Sequence, residues 1–147
     1  MRRLLGLLVI AMAFAAVDLW VKFVLPTPDW ALHQRSHVWF FGSCLLLVAA
    51  LPLARLRSNT VTVAAGIFNG GVLGNLISAS DDDLVVPNPI LIGDRTNGIA
   101  FNLADAFILT GNLMLMATLI ALTIRNRHRL PRSSVVLRRL RRRRASA

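Results

Sequence analysis

Four long apolar runs constrain this chain more than any other feature. They cover roughly residues 4–25, 38–53, 61–78 and 99–124. A helix needs about 20 mostly apolar residues to cross the hydrocarbon core of a bilayer. The charged residues lie mostly between the runs, and 55% of the 147 residues are hydrophobic. This pattern predicts an all-α membrane protein, with four transmembrane helices in residues 1–124 and a basic tail at 125–147. The first run follows "MRR" and has the look of a secretory leader. It is longer than a leader's apolar core, however, and no small-x-small site precedes "PTPDW". It is therefore expected to be a retained span.

The basic residues set an expected orientation. Arg2 and Arg3 precede the first run, Arg55 and Arg57 fall in the turn between the second and third, and ten Arg follow the fourth. Fourteen of the 17 Lys and Arg thus share one side, which the positive-inside rule assigns to the cytoplasm. Both termini are then cytoplasmic, and the reduced loops 26–37 and 80–98 face outward. A net charge of +10 raises nucleic acid as a partner. Most of that charge lies beyond the last apolar run, where a tail resting on anionic lipid explains it better. No nucleic-acid partner is expected. A short amphipathic helix is conceivable at Val135–Leu140.

The polar residues inside the runs carry the chemistry. A charge at a helix centre costs roughly 2.5 to 3.5 kcal/mol on insertion scales, so it requires a partner, a watery cavity or a function. Asp18 and Lys22 are four residues apart and share a helix face, so a structural pair is one reading. Asp105 has no cation within its own run, and Asn102 lies on its face. Asp18 comes late in an outward-going helix and Asp105 early in an inward-going one. Both belong near the outer membrane face, at similar depth.

The third run carries Gly66, Gly70 and Gly74 at four-residue spacing, which permits close helix approach. Asn69 and Asn75 flank that surface, as packing glue or as site residues. Cys44, the one cysteine, is expected as a packed thiol. His33 and His37 lack a third ligand, and no metal site or cofactor is expected. Ser78 and Ser80 have no evident base. Asp81, Asp82 and Asp83 read as a solvated or cation-attracting loop.

Taken together, "GNLI" at Gly74–Ile77, "LVV" at Leu84–Val86, "FNLAD" at Phe101–Asp105 and Gly111 six residues later resemble signal peptidase II, the lipoprotein signal peptidase. "DLWVK" at Asp18–Lys22 is similar to that family's D-x-x-T-K. The resemblance implies a four-span aspartic endopeptidase of the bacterial-type cytoplasmic membrane. Such an enzyme cuts lipidated prolipoproteins before the modified cysteine, and two Asp share the acid and base roles. It makes Asp105 one dyad member. Asn75, Asn102, Asp18 and Lys22 then support the site.

The chain departs from the family pattern at informative positions. Ser78 and Ala79 replace the D-R that follows G-N-L-I, and Pro87 stands where the second dyad Asp belongs. An N-x-G-x-A-F motif between the first two runs is missing, and that linker is short for the family's outer sheet. "NGIAF" at Asn97–Phe101 echoes the motif, by chance, in another place. Asp94 is the candidate substitute acid. Three function classes follow. One is a divergent endopeptidase. Another is a non-catalytic homologue binding a lipidated signal peptide, a lipid or a partner helix in the same groove. The last is a small ion or proton transporter using Asp18 and Asp105.

Overall fold

The computed structural model describes residues 1–81 and 83–129. The basic tail beyond residue 129, with the helix considered at Val135–Leu140, lies outside the described residues, as does Asp82. Four helices follow one another: α1 Arg2–Val24, α2 His37–Ala50, α3 Asn59–Asp81 and α4 Leu103–Arg125. Each of the three long helices has 23 residues. At a rise of 1.5 Å per residue that is about 34 Å, enough for a hydrocarbon core of about 30 Å. Ser36 caps α2 by accepting from the Trp39 N–H at 3.2 Å. A 3-10 turn at Leu51–Arg55 extends α2 to a 19-residue apolar helical segment. All four helices are long and apolar enough to span a membrane.

Their outer faces are those of a lipid-embedded protein. Leu5, Val9, Met12, Phe23, Phe41, Leu45, Leu109, Leu113, Met116 and Ile120 are all exposed. So much contiguous apolar surface is unstable in water and matches a bilayer. Cys44 belongs to α2 and is half-buried rather than fully packed.

The centre of the bundle is α3, which packs most extensively on α1 and α4. Small residues make this possible. A methyl group added at Gly70 would stand 2.5 Å from Phe14 Cβ of α1. One added at Gly71 would collide with the backbone oxygen of Ala104 in α4, and one at Gly111 would meet the Phe68 nitrogen at 2.5 Å. The 66/70/74 stripe anticipated from spacing thus faces α1, while Gly71 and Gly111 set the approach of α4. Phe14 and Phe107 meet edge to face at 4.7 Å, joining α1 to α4 directly. Asn69 is 3% exposed, and its side-chain oxygen has no partner among the described residues.

The loops at the Asp105 end are more structured than their length suggested. β1 (Leu32–Gln34) pairs antiparallel with β2 (Val85–Pro87), and β3 (Ile90–Ile92) pairs antiparallel with β4 (Ile99–Phe101). Two short ladders therefore form without the longer linker expected for an outer sheet, because the first loop pairs with the third. Residues 99–101, assigned from hydropathy to the fourth span, belong to β4, and α4 begins at Leu103. "NGIAF" accordingly runs from the tip of the β3–β4 hairpin into its second strand.

Candidate functional site

The start of α4 organises the site. Asn102 is its N-cap: the Asn102 side-chain oxygen accepts from the Asp105 N–H at 2.9 Å, and the Asp105 carboxylate receives the Asn102 N–H at 3.5 Å. This reciprocal capping box satisfies helix N–H groups that otherwise have no partner. It also fixes the orientation of Asp105. The three-residue spacing of Asn102 and Asp105, visible in "FNLAD", is the spacing a capping box requires.

A second carboxylate attends the same helix start. Asp18 of α1 is fully buried, and its Oδ1 accepts from the Ala104 N–H at 2.7 Å. Negative charge at a helix N-terminus is favourable, because the terminal N–H groups carry partial positive charge. The other oxygen of Asp18 is paired with Lys22 Nζ at 2.7 Å, confirming the pair anticipated from their spacing. A methyl at Gly74 would stand 2.6 Å from Asp18 Oδ2, so the absence of a side chain there is what admits the carboxylate.

Lys22 and Asn75 complete the connection. Lys22 Nζ donates to Asn75 Oδ1 at 2.9 Å and to Ser78 Oγ at 3.1 Å. With the Asp18 ion pair, the ammonium has three oxygen neighbours. Ser78 in turn donates to the Gly74 carbonyl at 3.0 Å. Asn75 Nδ2 donates to Asp105 Oδ1 at 3.1 Å. A chain of polar groups, fully buried at Asp18 and Asn75 and half-buried at Asp105, therefore runs Asp18–Lys22–Asn75–Asp105 across three helices. The two carboxylates are linked through an ammonium and an amide, with no hydrogen bond between them.

Asn88 closes the site on the side of the strand-bearing loops. It is 2% exposed and immediately follows Pro87. Its Oδ1 accepts from Asn102 Nδ2 at 2.6 Å, and its Nδ2 donates to the Ala100 carbonyl at 3.2 Å and contacts His33 Nδ1. Asn102 Nδ2 also reaches the Pro87 carbonyl at 3.3 Å. The segment that carries Pro87 thus delivers a backbone carbonyl and an amide side chain to the α4 cap, and no carboxylate.

Of the residues singled out from sequence, Asp18, Lys22, Asn75, Asn102 and Asp105 converge. Asp94 does not join them. It sits in the β3–β4 hairpin, where its carboxylate accepts from Thr96 Oγ1 at 2.6 Å, Thr96 N at 2.9 Å and Asn97 N at 3.0 Å. The Thr96 hydroxyl, then the Asn97 and Thr96 amides, hold its carboxyl below the usual carboxylate range. Its role in the structure is to staple a turn. Asn88, Ser78, His33 and Arg35 were not singled out as site members. Asn88 had the clearest signal, a second Asn beside the substituted dyad position.

Two clefts adjoin the chain of polar groups. One, of about 270 Å³, lies between α2, α3 and α4 and is lined by Asp105, Asn75, Arg35 and Ser43 among apolar residues. Arg35 stacks over the Trp39 ring at 5.2 Å, and its Nε is buried with no partner among the described residues. The other cleft, of about 550 Å³, is lined by Lys22, Ser78, Asp81 and Pro87 with Leu19, Phe23 and Ile77.

Fold and site together define a four-span helical membrane protein with a polar cluster buried at one end of its bundle. The fold is similar to that of a solved structure described as a bacterial membrane enzyme, with a TM-score of 0.61. The two are 17% identical, over 78% of this chain and 87% of that one, so the likeness is one of fold. No protein-family model matches the sequence, and no curated protein does.

Proposed function

We propose that this chain is a signal-peptidase-II-type protein of a bacterial cytoplasmic membrane, with both termini cytoplasmic. Its cleft at Asp105 receives the lipid-modified signal segment of a prolipoprotein and holds it without aspartyl hydrolysis. One observation carries the reading. Asp105 is oriented by Asn75 and Asn102, as a site carboxylate should be, yet its hydrogen-bond partners include no second acid. Where the family pattern has the second Asp stands Pro87, and the neighbouring Asn88 offers an amide to the cap. A dyad works because two close carboxylates share a proton and divide the base and acid roles. A proline and an amide supply neither role.

The cleft's lining suits the ester-bearing junction of such a ligand. Leu46, Phe68, Val72 and Ile108 give it apolar walls for acyl or leucine-rich chains. Arg35 and Asn75 place donors at its polar end for the carbonyls of an ester and a peptide, and Asp105 places an acceptor there for a peptide N–H.

A second reading rests on the Asp18–Lys22–Asn75–Asp105 chain. Two carboxylates already share one connected network, so an endopeptidase using Asp105 with Asp18 needs Lys22 and Asn75 to move from between them. The readings separate when a purified sample is given a diacylglyceryl-modified prolipoprotein peptide. Binding without cleavage supports the first. Cleavage that disappears in both Asp105→Asn and Asp18→Asn supports the second.

A further inference from the structure

A larger cavity lies at the opposite end of α1 from Asp18 and Lys22. It has a volume of about 870 Å³ and is lined by Arg2 and Arg3 from the start of α1 and by Arg55 and Arg57 from the α2–α3 turn, over Val48 and Leu51. Among the described residues, no acidic side chain lines it. Arg3 Nη1 donates to the Leu56 carbonyl at 3.1 Å, which ties the two arginine-bearing segments together. Val48 is 62% exposed, and Leu5 and Leu45 nearby present further apolar surface.

Orientation in a membrane requires basic residues on one side, but not their convergence. Arginines scattered around the rim would orient the bundle equally well. Here four of them, from segments about fifty residues apart, meet over one apolar floor. We propose that this cavity binds an anionic phospholipid, its phosphate held by the arginine cluster and its acyl chains lying on Leu4, Val48 and Leu51. The guanidinium fork matches phosphate oxygens in a bidentate way that a point charge does not. The apolar floor selects a lipid over free phosphate, which has nothing to lay on it. The proposal stands apart from the reading of the Asp105 site.

The test is native mass spectrometry of the full chain released from detergent with phosphatidylglycerol or phosphatidylcholine. Phosphatidylglycerol should be retained over phosphatidylcholine, and the Arg55→Gln/Arg57→Gln variant should lose about fivefold or more of it. Arg125→Gln/Arg127→Gln removes the same charge outside the cavity and should retain phosphatidylglycerol within about twofold. Because arginines also set orientation, Val48→Trp provides a variant with every charge kept. It fills the cavity from an exposed position and should lower retention as well. Equal losses from the two arginine pairs would reduce the effect to bulk charge and overturn the site. Unchanged retention in Val48→Trp would overturn it too, as would displacement of the lipid by millimolar inorganic phosphate.

Discussion

Asp18 accepts the backbone N–H of Ala104 at 2.7 Å, so a carboxylate on the first helix caps the start of the last. The contact spans 86 residues of sequence and fixes where Asp105 sits, one residue further along α4. Asp18 in turn is held by Lys22. The ion pair therefore acts on the site through position, whether or not it meets a ligand.

Removing one member of that pair should be costly. Asp18→Leu leaves the Lys22 ammonium buried without its counter-charge, and unpaired buried charges of this kind cost about 3–5 kcal/mol. Replacing both, as Asp18→Leu/Lys22→Met, should be less damaging than Asp18→Leu alone, because no orphaned charge remains. Thermal unfolding in detergent measures the order, and a double variant less stable than either single would contradict it.

Asn75 is predicted to couple the charges. Asn75→Leu deprives Lys22 of an acceptor and Asp105 of a donor. Hydrogen bonds to charged groups contribute about 1.5–3 kcal/mol each, so a loss of that order in stability is expected. The Asp105→Asn/Asn75→Leu double variant should lose less than the sum of the singles, since the two residues are in contact.

Close helix approach gives a graded series. Gly111→Ala places a methyl 2.5 Å from the Phe68 backbone nitrogen, and overpacking against backbone costs about 1–3 kcal/mol. Gly74→Ala should in addition push Asp18 out of its position. Gly42→Ala meets nothing within 4 Å and should stabilise α2 by up to about 1 kcal/mol through helix propensity. Equal effects at the three positions would contradict the packing described.

Asp94 is predicted to matter to its turn and not to the site. Its carboxyl is depressed in the folded state, so the turn's stability is fully present above the ordinary Asp value. It is lost as the pH falls through the lower folded value. The protection of the Thr96 and Asn97 amides, measured relative to the intrinsic exchange rate at each pH, should therefore fall on acidification. Asp94→Asn should show fast exchange at neutral pH with ligand binding unchanged. Loss of binding or activity in that variant would return Asp94 to the site.

Much of this arrangement was legible in the residues. Apolar run length marked the four spans, and placing two acids at one depth anticipated the meeting of Asp18 with the start of α4. The spacing of Asn102 and Asp105 carried the capping box. Other parts depend on long-range pairing that no local pattern encodes. The β1–β2 ladder joins segments about fifty residues apart, and its pairing places Asn88 beside the cap. Ile99–Phe101 is apolar enough to read as span, yet it pairs with β3 because Asn102 starts the helix afterwards. Gly71 lies outside the four-residue stripe, and its role shows only where Ala104 approaches.

The central claim concerns Asp105 as a binding carboxylate without a dyad partner. It is tested most directly by incubating the purified protein with a diacylglyceryl-modified prolipoprotein peptide, following bound peptide and released signal peptide together. The account predicts peptide bound by the native chain, binding weakened in Asp105→Asn, and no released signal peptide from either. Signal peptide released by the native chain and abolished by Asp105→Asn would contradict it.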